Sequence, residues 1–443
     1  MNEHIVRELS PSEMMWWILD ARCRVNFVMH ARIRGVWADR DLRAGLDAIQ
    51  ARHPLLRARI EPCGRNRLRF VFHDVAPLPL RVVNNSGPSW VEEGEEELRL
   101  CFDADRGPLA RAVLLKRGPA DSILLFTFHH AVGDALSGAF LIRDLVAAAG
   151  AAAAGRDASL PALPLKSEMN AYFPDWAQGL SGHWGYAKLS ARVLWSLARD
   201  GRPTIPRFDG RAPDGRWRAR IAAHELDNEF TARLHEKARK NDTTLHGAFL
   251  AAQMLALAAD RGEARPRNYF VGSPVNLRNR LAPPVHDDVG FFVTMGFSAA
   301  RVGPNDDFWP LARRVRRSLW DCVERGDPFL YPIQHRHLSA CTWLLGLGPR
   351  GRNVYRRLSR PANLGGLAFS NIGRVEIEAG TGPATAESLG FAASGAGVSP
   401  FMVFAATLNE TTAWNFVGME PLISREHTQS IADRALKILT AAV

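Results

Sequence analysis

The chain holds 443 residues, of which 47% are hydrophobic and 23% charged, and it carries a formal net charge of +10. These proportions exclude a disordered chain, and the length exceeds what one hydrophobic core supports, so two domains are expected. No uncharged apolar run approaches the roughly 18 residues of a membrane-spanning helix, and Glu3, Arg7, Glu8 and Glu13 near the start are unlike a secretory leader.

Five cysteines (Cys23, Cys63, Cys101, Cys322 and Cys341) are scattered without a C-x-x-C pair. That spacing offers neither a zinc site nor a disulfide framework, so no metal is expected and a reducing cytoplasm is. The positive charge admits three partners: nucleic acid, an anionic membrane surface, or an acidic carrier protein or phosphate-bearing thioester steered to a mouth. No basic tract interleaved with aromatics is present, so nucleic acid is set aside. A merely solubilising arginine surface stands as the plain alternative.

Residues 9–19 read as a capped helix, with Ser10 as N-cap, Pro11 at the first helical position and Glu13 three residues on. Met15, Trp16 and Leu19 form its apolar side. Residues 27–35 follow as a strand, and a second helix opens at Asp41 with Leu42, Leu46 and Ile49 on one face. Pro54 ends that helix and turns the chain into a strand. Arg52, His53 and Arg57 read as a polar turn.

Residues 123–128 carry no charge, which fits a strand buried on both faces. His129 and His130 follow at once, then Ala131, Val132, Gly133 and Asp134. Beyond them Leu136, Phe140, Leu141 and Leu145 fall at helical spacing, so Asp134 is placed as an N-cap. Strand, turn and helix thus set two imidazoles at a strand end, pointing to opposite sides. One is free to face a cavity while the other packs inward. Imidazole titrates near neutral pH and is the usual mover of a proton at an attacking oxygen or nitrogen. A satisfied structural histidine is the bland alternative.

Residues 147–155 are nearly all alanine and glycine and precede Pro161 and Pro164, so they read as an inter-lobe crossover. Trp184, Tyr186, Leu189, Val193, Leu194 and Leu197 make residues 176–197 an amphipathic helix, either packed over a channel or facing lipid, with packing preferred. Residues 201–217 form a loop. The second half opens with a strand over 217–226, a helix over 227–240, and an alanine- and leucine-rich helix capped at residues 242–244. A strand over 268–273 leads to Arg278 and Arg280, and strands near 402–408 and 413–418 complete a second sheet. The expected division is a lobe over 1–165, a linker over 166–216 and a lobe over 217–443.

The run His129-His130-Ala131-Val132-Gly133-Asp134 resembles the His-His-x-x-x-Asp-Gly motif of the condensation-domain superfamily. That superfamily holds peptide-synthetase condensation domains, polyketide-associated and plant acyltransferases, and bacterial wax ester synthases. Other landmarks follow in the same order. Residues 10–19 are similar to S-x-A-Q-x-R-L-W-x-L, and residues 52–57 to R-H-x-x-L-R. Residues 102–111 resemble the entry into the strand before the histidines. Residues 288–294 resemble I-G-x-F-V-N-T, with Thr294 in place of Asn, and residues 369–373 are similar to the S-N-x-G signature of free-standing members. The resemblance spans Leu9 to about Gly418. The motif's glycine is Ala135 here; alanine is strained by about 1–2 kcal/mol where φ must be positive and welcome at a first helical residue, the reading expected here.

The resemblance implies an α/β (α+β) fold of two chloramphenicol-acetyltransferase-like lobes in a V-shaped pseudo-dimer with a central channel, acting as a monomer. It implies that His130 faces the channel as a base or positioning group, that His129 packs, and that Asp134 pairs with an arginine, Arg278 first and Arg280 second. Gly133, Ser370 and Asn371 are channel candidates, and backbone N–H groups near Gly133 and Asp134 are candidate oxyanion donors. No residue sits in a nucleophile elbow, so direct transfer is expected. The implied activity is that of a free-standing condensation-type acyltransferase without a permanent cofactor. Its donor arrives on the phosphopantetheine of an acyl or peptidyl carrier protein, or on CoA, since no adenylation or carrier segment falls within the chain. Its acceptor is a small-molecule hydroxyl or amine. A wax-ester or glycerolipid acyltransferase in peripheral contact with a membrane, and a recruitment module without chemistry, are the alternatives.

Overall fold

The computed structural model describes residues 6–20, 25–64, 66–84, 87, 89–213, 216–262, 265–362, 366–377, 382–395 and 399–443, with backbone alone at 340–344 and 359–362. Cys23 and the Cys341 side chain therefore lie outside the described residues. The first half runs β1 (Val6–Glu8), α1 (Pro11–Asp20), β2 (Asn26–Gly35), α2 (Asp39–Arg52), β3 (Arg59–Pro62), β4 (Leu68–Val71), β5 (Leu80–Val83), α3 (Trp90–Arg99), β6 (Ala110–Gly118), β7 (Asp121–His129) and α4 (Ala135–Ala153). α1 opens as the expected capping box: Glu13 N–H donates to Ser10 Oγ at 3.1 Å and Ser10 N–H to Glu13 Oε2 at 2.7 Å. Its buried side is Met14, Ile18 and Leu19, not Met15 and Trp16; Trp16 is turned toward the histidines. β7 lies between β2 and β6, which accounts for its uncharged run.

Two expectations for this half are corrected. The alanine- and glycine-rich tract is the second half of α4, not a crossover, and Ala148, Ala149 and Gly150 are buried there. α2 lies close against it, because a Cβ on Gly45 would come within 2.9 Å of Leu145. Nor do Arg52 and His53 form a solvated turn. Both bond Asp144 Oδ2 on α4, at 2.8 and 2.9 Å, and a 3-10 turn at Pro54–Arg57 separates them from β3. α4 is the one described helix long and apolar enough to cross a membrane, and 67% of it is buried in the fold.

The second half runs α5 (Gly179–Asp200), β8 (Arg218–Leu226), α6 (Asn228–Lys240), α7 (Leu245–Asp260), β9 (Arg267–Asn276), β10 (Val293–Val302), α8 (Phe308–Glu324), α9 (Asp327–Leu345), α10 (Pro349–Ala362), β11 (Leu367–Val375), β12 (Ala384–Ala393), β13 (Phe401–Leu408), β14 (Thr411–Glu420) and α11 (Arg425–Ala442). Asp227, Thr244 and Ser424 cap α6, α7 and α11 through their side chains.

Strands assemble in the orders β12-β2-β7-β6-β5, β10-β9-β11-β13-β14-β8, and a small β1-β4-β3. The five-stranded sheet takes β12 from the second half of the chain, where it pairs antiparallel with β2, Phe391 opposite Met29. That strand ties the two halves together. β13 shows what lies between them. Its Phe401, Val403 and Ala405 join the core under α7, α8 and α11, while Met402, Phe404 and Ala406 join the core of the first sheet. Alternation thus buries both faces, so all eight residues of the strand are buried. Asn415 on β14 bridges the sheets by donating to His30 Nε2 and to the Phe391 carbonyl, both at 3.0 Å.

Candidate active site

The turn after β7 delivers the two histidines to opposite sides, as strand alternation requires. His129 is fully buried. Its Nδ1 accepts the Ala131 N–H at 3.0 Å, so the ring proton sits on Nε2, 3.8 Å from Asp20 Oδ2. Burial lowers its pKa although Asp20 pulls upward, and the neutral ring holds the turn by packing and one hydrogen bond.

His130 stands in an aromatic cage. Trp16 stacks on its ring at 4.0 Å between centroids, and Phe27 and Phe291 meet it edge-on at 4.4 and 5.4 Å. The residue nonetheless keeps partial solvent exposure. Its Nδ1 lies 2.9 Å from the Gly133 carbonyl. A carbonyl only accepts, so Nδ1 carries the proton and Nε2 of the neutral ring has a bare lone pair. Burial pushes the imidazole down to about 4, against smaller upward pulls from the Gly133 bond and Asp134. Gly133 is glycine because a Cβ there would lie 3.2 Å from both the Phe128 ring and Ser137 Cβ.

Asp134 caps α4, accepting the Ser137 N–H at 2.8 Å. Arg278, arriving from the 3-10 turn after β9, meets both carboxylate oxygens, Nη1 to Oδ2 at 2.9 Å and Nη2 to Oδ1 at 3.1 Å. Phe292 N–H donates to Oδ2 at 3.0 Å and Ser137 Oγ to Oδ1 at 2.9 Å, and Ser137 Oγ accepts from Arg278 Nη2 at 2.8 Å. Both members of the pair are at most 2% exposed. Burial pushes the carboxyl up, but the Arg278 charge and hydrogen bonds outweigh it and hold the group below the usual carboxylate range. The bidentate pair fastens the histidine turn of the first sheet to the second. α4 starts at Ala135 without left-handed backbone, so the alanine at the motif's glycine is the ordinary first residue of a helix.

The remaining candidates lie elsewhere. Arg280 is on the surface, 3.9 Å from Glu324, and plays no part at Asp134. Ser370 and Asn371 sit inside β11 rather than on a loop, and Asn371 Oδ1 accepts the N–H of Gly373, whose φ of 74° closes a bulge. Sequence reasoning missed the cage of Trp16, Phe27 and Phe291 and the hub at Ser137. Only Ser137 left a signal, as the third residue after an N-cap.

Two sheets joined by β12, with a histidine turn at the end of a central strand, define the fold of condensation-type acyltransferases. It overlays on the starter condensation domain of rhizomide synthetase RzmA in complex with C8-CoA over 99% of this chain and 94% of that one, with TM-score 0.70 and 15% identity. TRI3 trichothecene 15-O-acetyltransferase from Fusarium sporotrichioides overlays over 99% and 96%, with TM-score 0.72 and 13% identity. The chain belongs to the condensation domain family, which its sequence matches over residues 25–337. It is 30% identical over 343 residues to phosphinothricin tripeptide synthetase PhsC of Streptomyces viridochromogenes, a match that takes in 72% of this chain and 30% of the synthetase. The chain thus spans under a third of that relative's length.

Proposed function

We propose that this chain transfers an acyl group from a phosphopantetheine thioester, on a carrier protein or CoA, to the hydroxyl or amine of a small acceptor in the cytoplasm. The reading rests on one observation above all: His130 is neutral, its Nδ1 is committed to the Gly133 carbonyl, and its Nε2 is bare. The acceptor's O–H or N–H donates to Nε2 while its heteroatom attacks the thioester carbonyl. A tetrahedral oxyanion forms, the C–S bond breaks, and the proton passes to the departing thiolate. The products are an ester or amide and a free thiol.

A group held near 4 is a poor store for a full proton, since general bases work best with a pKa near the working pH. A ring of this weak basicity favours the reading in which Nε2 orients the acceptor and relays its proton without keeping it. His129, Asp134 and Arg278 are positioning residues.

The test is intact-protein mass spectrometry of acyl-loaded carrier proteins, and chromatography of acyl-CoA reactions, with panels of alcohols and amines. Transfer by the native chain that falls about a hundred- to ten-thousand-fold in His130→Ala supports the reading. Equal turnover by the variant refutes it.

A further inference from the structure

α5 was expected to pack, and it does so along a narrow line only. Of its 22 residues just Gly182 and Leu189 are buried. Leu189 packs with Leu330 and Ile333 of α9, and at Gly185 a Cβ would come within 3.0 Å of Leu330. The inner side of the helix is thus held firmly. The outer side is different in kind. Leu180 is 90% exposed, Trp184 68%, Leu194 65% and Trp195 61%, and Ala191 and Ala198 are exposed between them. At 100° per residue these six fall within an arc of about 100°, and they form a ridge about 27 Å long.

Charge lies to one side of that ridge. Lys188, Arg192 and Arg199 occupy the adjoining arc and are exposed. Beside them opens a cleft of about 690 Å³ shared with β9, β10 and α8, into which Arg301, Arg314 and Arg325 also project. Asp200 and Asp327 share the lining with these five arginines, and Arg314 lies 3.3 Å from Asp306 beside it. Arg192 and Arg325 both pair with Asp327, and Arg199 pairs with Asp200 and lies 4.5 Å from the Trp195 ring.

We infer that the outer face of α5 seats on an anionic lipid bilayer, with Leu180, Trp184, Leu194 and Trp195 in the interface and the flanking cations against the headgroups. A convex ridge of leucine and tryptophan suits a soft medium that closes around it, whereas a protein partner needs a matching groove. Tryptophan prefers the depth where chains meet headgroups, and a helix with one apolar face and a cationic flank lies flat at that depth. Contiguous exposed apolar surface of this size marks an interaction site. The inference goes beyond the transferase reading and does not depend on it.

The test is flotation of the full chain with vesicles of phosphatidylcholine alone and of phosphatidylcholine mixed with phosphatidylglycerol, read together with tryptophan emission. Binding to the mixed vesicles with a blue shift is expected, and much weaker binding to the neutral ones. Leu194→Glu should weaken binding at least about tenfold, and Lys188→Glu about fivefold, with thermal unfolding and His130-dependent transfer to soluble acceptors unchanged. His130→Ala should float like the native chain. Failure to float with the mixed vesicles, or equal binding to both kinds, overturns the inference. So does a dimer in sedimentation that Leu194→Glu dissolves, since the occupant would then be a second copy.

Discussion

At the His130 turn, polar groups are driven inside and given partners: Arg278 donates to both carboxylate oxygens of Asp134, while aromatic rings crowd the imidazole. On α5 the opposite holds, and leucine and tryptophan side chains stand in solvent beside unburied cations. Each departs from the usual partition of apolar inside and charged outside, and each departure costs free energy that folding alone does not recover. At the turn the return is an imidazole held in one orientation by its neighbours. On α5 it is an apolar face kept free for something other than the protein.

That contrast can be broken first at the buried pair. Asp134→Ala leaves the Arg278 guanidinium buried without its counter-charge, and urea unfolding should show a loss of about 3–5 kcal/mol. Arg278→Lys keeps the charge but loses the fork, so it should recover only part of that stability.

Acid attacks the same interior. Burial lowers the pKa of His129, and it pushes His30 down to about 3, while the unfolded chain titrates them near 6.5. Below about pH 6.5 the unfolded state takes up protons that the folded state refuses, so stability is full above that pH and declines as pH falls. The slope should reach about 1.4 kcal/mol per pH unit for each such histidine, until the folded pKa is passed. Thermal unfolding in a pH series checks this.

Opening the cage is a smaller change. Trp16→Ala removes a stacked ring worth about 0.5–1.5 kcal/mol and admits water, so the His130 pKa should climb from about 4 toward its ordinary value in an NMR titration. The two sides of α5 should behave differently, and the outer one carries the smallest effect. Leu189→Ala on the inner side should cost about 2–3 kcal/mol, and Leu194→Ala on the outer side at most about 0.5 kcal/mol. Equal costs would mean that the outer face is packed in solution.

Local chemistry made much of this legible in advance. Ser10, Glu13 and Asp134 announce helix starts through caps, and the uncharged residues of β7 announce a strand with two buried faces. The partnership of Asp134 with Arg278 came from resemblance, because nothing local links residues 144 positions apart. What stayed hidden is what only tertiary pairing decides. β12 has the alternation of a strand, but no feature of its residues says that it leaves its own half for β2. Trp16 sits at a spacing that fits a core residue as well as a lid over an imidazole. His53 looked like turn polarity because its partner, Asp144, lies on a helix 91 residues further on. On α5 amphipathic spacing identifies an apolar face without saying whether protein or another medium covers each part of it.

The claim on which the mechanism turns is the tautomer of one ring, and nitrogen-15 NMR reads it directly. In uniformly labelled protein, with the signal assigned by its loss in His130→Gln, the account predicts a neutral imidazole at pH 7 with the proton on Nδ1 and Nε2 free, unchanged until the pH nears 4. A ring that is charged at pH 7, or neutral with its proton on Nε2, would contradict it.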